Sequence, residues 1–312
     1  MADVRWGLTL PFAGVPLRDH APLVQRAEAA GYDDVWSGET ANGLDGFTPL
    51  AVAATCTERM RLVTGIVNPF TRGPGLLAQS AAAMQDLSNG RFVLGLGASS
   101  NVIVERFNDM PFEKPLSKVR EAVERLRPVL SVPAEKGFGG LRLDPPVQQP
   151  VPIVLAALRE KMLRLAGEVA DGVFSNFLPL SGTERVVSVA REAGGEDFEI
   201  ACRFFLLPEE ALPLARVMFA NYGSVGVYAD FFRELGWGEA LDPMVEAYTS
   251  GDRQGAIERV PEELMREIFV IGTPDEQKAR LAEYEAAGIT SFVLTPIAGP
   301  DDLPGLLDAL AR

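Results

Sequence analysis

Eight short runs of β-branched and aliphatic residues recur along the chain: Val4–Leu10, Asp34–Ser37, Leu62–Val67, Phe92–Leu96, Ile153–Leu155, Val173–Ser175, Glu199–Leu206 and Ser291–Leu294. Amphipathic stretches with helix punctuation lie between them, among them Leu17–Ala30 closed by Gly31, Pro74–Leu87 closed by Asn89 and Gly90, and Pro115–Leu130. Strands that are near-continuously apolar need cover on both faces, and helices alternating with them supply it around a parallel sheet. Eight such units in 312 residues predict an α/β fold closed into a (β/α)8 TIM barrel, with an open doubly wound sheet as the structural alternative.

The whole of 1–312 reads as a single domain. Two connections are longer than a standard unit, Ser99 to Val151 and Pro208 to about Val270. The second, at about 208–270, is read as a helical insertion carrying Tyr222, Tyr228, Phe231, Phe232, Trp237 and Tyr248. Such aromatic density fits a cover over the carboxyl-terminal face, with some of Phe231, Phe232, Trp237 and Tyr248 bounding a pocket; helices packed on the barrel wall would use the same residues.

The charge balance narrows the partners. A formal net charge of −14, with acids spread along the chain, argues against nucleic acid and against an anionic membrane surface. No basic segment followed by an apolar run opens the sequence, and no stretch has the length and apolarity to span a bilayer, so a cytoplasmic location is expected. Cys56 and Cys202 form neither a Cys-x-x-Cys pair nor a disulfide framework and are read as reduced core residues. The chain has one histidine, His20, placed at a helix start, where packing or surface exposure is expected of it. Serine and cysteine triads and most catalytic zinc sites need histidine, so the chemistry is expected to come from a bound cofactor, with no metal site.

Candidate site residues gather at the carboxyl ends of the strands, where barrel enzymes keep their active sites. Strand two runs into Glu39 and Thr40; Glu39 either fixes a heterocycle or a polar neighbour, or stands solvated in its loop. Strand three continues through Thr64, Gly65, Ile66 and Val67 to Asn68 and Pro69, and a glycine inside an apolar strand marks a bulge or a close backbone approach. Strand four ends in Gly95-Leu96-Gly97-Ala98-Ser99-Ser100, which lacks the third glycine of a dinucleotide fingerprint. These residues either let a planar ligand approach while Ser99 and Ser100 offer hydroxyls, or form a tight turn with helix-capping serines. After strand five, Ala157, Leu158 and Arg159 open a helix whose backbone N–H groups are suited to a phosphate, with Lys161 and Arg164 adding charge nearby and Arg72 at another helix entrance.

Four blocks in order carry a resemblance: Ala27–Trp36, Thr64–Arg72, Ser88–Gly97 and Ala166–Gly172. With them the chain resembles the bacterial luciferase-like superfamily, and within it the deazaflavin-dependent branch that includes methylene-tetrahydromethanopterin reductase. The resemblance implies a barrel binding coenzyme F420, one face of the ring against a bulge in strand three with a cis Gly65-Ile66 peptide, and hydride transfer at the deazaflavin ring carbon. It also implies that Glu39 matches the acid of an Asp/Glu-His pair, with Thr40 standing where many members have histidine. Arg159 and Glu160 stand where relatives often have Gly-Pro.

The reading is therefore an F420-dependent oxidoreductase acting on a small organic substrate, and a homodimer. Glu39 and Thr40 are the catalytic candidates. Glu39, Thr64, Gly65, Ile66, Val67, Gly97, Ser99, Ser100, Ala157, Leu158 and Arg159 are the cofactor-binding candidates, with Arg72, Lys161 and Arg164 as a local basic strip for the anionic tail. An FMN-dependent monooxygenase on the same barrel is the nearest alternative, and a non-catalytic flavin-binding barrel is the alternative of another class.

Overall fold

The computed structural model describes residues 4–40 and 43–312; the opening Met1, Ala2 and Asp3, on which part of the amino-terminal reading rests, lie outside the described residues. Nine strands follow one another: β1 (Arg5–Leu10), β2 (Asp34–Ser37), β3 (Arg61–Thr64), β4 (Phe92–Leu96), β5 (Ile153–Ala156), β6 (Gly172–Asn176), β7 (Glu199–Leu207), β8 (Val270–Ile271) and β9 (Ser291–Pro296). Strands β1 to β7 pair in sequence, β7 pairs with β9, and β9 returns to β1, all parallel. The sheet is closed, which excludes the open alternative. Strand β8 pairs only with the end of β7, at Leu206 and Leu207. Two residues carry no periodicity to read, and this strand was not expected.

The helices that wrap the barrel are α1 (Ala21–Ala29), α2 (Thr48–Cys56), α3 (Pro74–Leu87), α4 (Pro115–Leu130), α5 (Glu160–Val169) and α6 (Leu180–Gly194). Helices α7 (Leu212–Gly223), α8 (Gly226–Glu234), α9 (Gly238–Thr249), α10 (Arg253–Glu258) and α11 (Glu262–Ile268) form the insertion, and α12 (Pro274–Ala286) and α13 (Leu303–Leu310) complete the wall. The helix expected over Leu17–Ala30 is broken: a 3-10 turn occupies Leu17–Asp19 and α1 starts only at Ala21. Pro22 explains the restart, because its fixed φ and missing N–H suit a first helical turn and no other. No helix among the described residues is long and apolar enough to cross a membrane.

Inside the barrel, alternation along each strand stacks side chains in layers. At the amino-terminal floor Arg61 donates to Asp34 at 2.6 and 2.8 Å and to Glu199 at 2.6 and 3.0 Å, and Ser291 donates to Glu199 at 2.6 Å. Two residues further along, Trp36, Val63, Val93, Val154, Phe174, Ala201 and Val293 make an apolar middle layer. Another two residues along β3 and β7 come Gly65 and Arg203, at the mouth.

His20 is buried. The Phe12 N–H donates to its Nε2 at 2.8 Å and Nδ1 lies 3.0 Å from the Pro16 carbonyl, so both ring nitrogens are taken up by the backbone and the ring serves packing. Cys56 and Cys202 are free thiols, and burial raises both above the ordinary thiol range.

The insertion shares one hydrophobic core with the barrel wall, which favours the wall-packing reading of its aromatics. Phe231 and Phe232 are buried, Phe231 beside Gly182 of α6 and Phe232 against Phe219 at 5.8 Å between centroids, and Trp237 is partly buried. The Tyr248 hydroxyl donates to Asn221 at 3.0 Å, with Arg253 over its ring. Short helices added to a barrel must bury their apolar faces before they can cover a pocket, and these side chains are used against one another and against the wall. Tyr222 and Tyr228 lie 4.6 and 5.4 Å from Phe177, which directly follows β6, and so come to the barrel mouth instead.

The floor network yields a test. Burial alone would raise the Glu199 carboxyl, but the Arg61 hydrogen bonds and charge and the Ser291 hydroxyl hold it below the ordinary glutamate value. Arg61→Met removes the main partner of two carboxylates, leaving Asp34 the longer contact to Arg5 at 3.7 Å and Glu199 the Ser291 hydroxyl, and is expected to lower the free energy of unfolding at pH 7 by about 3–5 kcal/mol in urea titrations. The wild-type contribution is complete above the unfolded glutamate pKa of about 4.3 and is lost as the pH falls through the lower folded value, so the two proteins should converge in acid. A loss below about 1 kcal/mol at pH 7 would show the network to be dispensable.

Candidate active site at the carboxyl end of the barrel

The site is built around the chain leaving β3. The Gly65-Ile66 peptide is cis. Its surroundings are tied to both neighbouring strands: Gly65 N–H donates to the Ser37 carbonyl at 2.7 Å, Glu39 N–H to the Ile66 carbonyl at 2.9 Å, and Val67 N–H to the Gly95 carbonyl at 3.1 Å. Thr64 donates its hydroxyl to the Gly95 carbonyl at 2.9 Å and accepts the Gly95 N–H at 2.7 Å.

Glycines permit this closeness. A Cβ on Gly38 would overlap the Gly65 carbonyl, and one on Gly95 would overlap the Thr64 carbonyl. A Cβ on Gly97 would stand 2.9 Å from both Ile66 and Ala156. Gly95 therefore makes room for β3 itself, whereas Gly97 keeps low a shelf whose partly exposed members are Ile66 and Ala156. Ser99 has a left-handed backbone, φ 63°, and Ser100 accepts the Ile103 N–H at 3.4 Å, opening a π-helical turn at Val102–Phe107. Thr64, Gly65, Ile66, Val67 and Gly97 are thus brought together by direct contact, with Ser99 and Ser100 just beyond them on the same chain end.

Glu39 is not a solvated loop residue. Its Oε1 receives Arg72 Nε at 2.8 Å and Nη2 at 2.7 Å, and its Oε2 lies 3.4 Å from Asn68 Nδ2. Arg72 also lies over the Phe47 ring at 5.1 Å. A carboxylate so placed is turned toward Arg72 and Asn68 as a hydrogen-bond acceptor. Thr40 is exposed, and no hydrogen bond joins it to Glu39 among the described residues. The two catalytic candidates are adjacent in sequence without forming a relay.

The expected basic strip is mostly neutralised. Arg72 is held by Glu39, and Arg164 pairs with Glu160 at 3.0 Å and Glu192 at 3.3 Å. Arg159 turns outward to Glu234 at 2.6 Å and Asp230 at 3.2 Å on α8. A chain with 43 acidic and 29 basic residues supplies these arginines with carboxylates. Lys161 is exposed and makes no ion pair among the described residues. Ala157 and Leu158 are buried, and no side chain caps the amino terminus of α5.

Two residues at the mouth, Arg203 and Asn176, escaped the sequence reading, and Tyr222 and Tyr228 join them from the insertion. Arg203 on β7 reaches across the barrel, donating from Nη2 to the Gly65 carbonyl at 2.8 Å, with its guanidinium 5.4 Å from the Phe174 ring centre. Asn176 at the end of β6 donates to the Tyr228 hydroxyl at 3.1 Å, and Tyr222 stacks on Phe177. Their signal was the two-residue period Glu199, Ala201, Arg203, which places a charge inside the barrel. A groove on the outer wall, lined by Ser181, Glu184, Glu267, Arg280 and Glu283, gathers none of these residues.

Closed barrel, glycine-lined bulge and strand-end cleft are matched by descent. The model of the luciferase-like monooxygenase family matches residues 6–291, and the chain belongs to that family. It is 32% identical to a protein of Mycobacterium tuberculosis described as a coenzyme F420-dependent oxidoreductase, over 94% of this chain and 95% of that one. It is 29% identical to the 5,10-methylenetetrahydromethanopterin reductase of Methanolobus tindarius, over 92% of each chain. Among solved structures, the coenzyme F420-dependent tetrahydromethanopterin reductase of Methanopyrus kandleri superposes with a TM-score of 0.80 at 23% identity, covering 100% of this chain and 98% of that one, and so shares the fold.

Gly38→Ala should force the bulge away from β2 and destabilise the protein by about 1–3 kcal/mol, the usual cost of overpacking. Gly75→Ala, in α3 with open space around the added methyl, is the control and should be neutral or stabilising. Equal urea midpoints for the two variants would contradict the close packing at Gly38.

Proposed function

We propose that the protein is a coenzyme F420-dependent oxidoreductase that transfers a hydride between the deazaflavin and a small organic substrate. The observation that carries this reading is the low apolar shelf of Ile66, Gly97 and Ala156 beside the strand-three bulge, open to the barrel mouth. The relatives described as F420-dependent support the choice of cofactor.

The residues present fit such a ring. A Cβ at position 97 would stand 2.9 Å from Ile66 and Ala156, so glycine there lets those two side chains close into one low apolar surface, and a flat ring needs such a surface to lie against. Bound there, the deazaflavin supplies or accepts a hydride at its ring carbon. Ile66 and Gly97 support one face, Ser99 and Ser100 offer hydroxyls at an edge, and the amino terminus of α5, at Ala157, Leu158 and Arg159, offers backbone N–H groups to a phosphate. The Glu39–Arg72 pair fixes the loop after β2 and presents an acceptor. Thr40 carries no histidine's chemistry, so Glu39 and Thr40 act here as positioning and binding groups. The insertion between β7 and β8 limits access to water and sets substrate choice.

The family's description as monooxygenases favours FMN-dependent oxygenation as the second reading. Titration of the full chain with F420 and with FMN, followed by ring fluorescence, separates the two. We expect F420 to bind at least about tenfold more tightly, and Gly97→Val to abolish binding while keeping the wild-type circular dichroism. Tighter FMN binding, with oxygen consumed on its reduction, would replace this reading with the monooxygenase.

A further inference from the structure

Among the described residues most arginines are matched to an acid or to a set of carbonyls, and of the others Arg203 is the one at the barrel mouth. Its side chain makes one hydrogen bond, to the Gly65 carbonyl, and its Nε–H is buried with no acceptor. Asn176, two residues beyond Phe174 on β6, has its side-chain oxygen buried and unpartnered. The Phe174 ring faces the guanidinium and the phenols of Tyr222 and Tyr228, from α7 and α8, are near it, whereas the neighbouring Cys202 thiol points to the other face of the strand. No carboxylate among the described residues pairs with it. Burial lowers the guanidinium's pKa, yet an arginine keeps its proton, so the charge stands in an apolar, aromatic setting without a counter-ion. An unpaired buried charge is costly to keep, and it persists where a ligand supplies the missing partner.

We propose that Arg203 anchors the substrate, and that the substrate class is a small organic acid whose carboxylate pairs with this guanidinium. The carboxylate takes the free N–H edge of Arg203. The rest of the molecule lies along Tyr222 and Tyr228, and Asn176 accepts a hydrogen bond from a neighbouring hydroxyl or N–H of the same ligand. Because Arg203 also holds the Gly65 carbonyl, the anchor is tied directly to the bulge beside the shelf. A fork-shaped donor suits a carboxylate in a way a lysine ammonium does not. This inference deepens the proposed function and rests on its placement of the reaction at the barrel mouth.

Binding of benzoate and of benzyl alcohol to the full chain, by calorimetry with and without F420, tests the anchor without needing turnover. Benzoate should bind and benzyl alcohol should bind at least about tenfold more weakly, the contribution expected of a charge-assisted pair. Arg203→Met should remove that preference, and Arg203→Lys should retain part of it, in the absence of F420 as in its presence. Should the methionine variant fail to fold, the wild-type preference and the lysine variant still decide. Equal binding of acid and alcohol by the wild type, or a preference for benzoate that survives in full in Arg203→Met, would overturn the proposal. If F420 fails to bind the wild type while benzoate binds through Arg203, the cofactor reading fails and the anchor stands.

Discussion

The Gly65 carbonyl is pressed from one side by Gly38 and reached from the other by Arg203, and the mouth of the barrel is arranged around it. A side chain at Gly38 would push the peptide off β2, and one at Gly95 would push β3 off β4. Either shift would also move Ile66, whose carbonyl receives Glu39 N–H and whose side chain tops the apolar middle layer. Three elements that share no local sequence, the loop after β2, the bulge after β3 and the end of β4, are therefore held at fixed separation by close backbone packing, with the Thr64 hydroxyl bonding both backbone groups of Gly95. Backbone set so closely is rigid, and a site that must hold a flat ring benefits from that rigidity.

The barrel uses arginine inside its sheet in two opposite ways. At the floor, Arg61 is met by Asp34 and Glu199 with hydrogen bonds on both, and the network closes the barrel end against water. At the mouth, Arg203 has a carbonyl and aromatic rings and no acid. The first arrangement satisfies its charge within the fold and belongs to stability. The second leaves it to be satisfied from outside and belongs to recognition. That division follows the general polarity of (β/α)8 barrels, in which the amino-terminal end carries stability and the carboxyl-terminal end carries function.

Most of the fold could be read along the chain because its signals are local. Apolar β-branched runs marked all eight barrel strands, and proline and glycine marked α3 and α4 to the residue. Strand β8 has only Val270 and Ile271, too few for a period, and the break at His20 turns on the position of Pro22. The site was legible where backbone geometry decides it, at Thr64 to Val67 and at Gly97. It was not legible where pairing decides it. Nothing near Arg72 in sequence points to Glu39, thirty-three positions earlier, and nothing near Arg159 points to Asp230 and Glu234. The aromatics of the insertion stayed open to two readings for a related reason: hydrophobicity reports that Phe231 and Phe232 are buried but not whether a pocket or the barrel wall buries them, and Tyr222 and Tyr228 were told apart from them only by the fold.

The central claim is that the shelf beside the strand-three bulge seats the cofactor ring. A crystal structure of the full chain with F420 tests it most directly. The account predicts the ring lying at the carboxyl ends of the strands with one face in van der Waals contact with Ile66 and Gly97. Density for the ring outside the mouth, or against the opposite strands with Ile66 left uncovered, would contradict it.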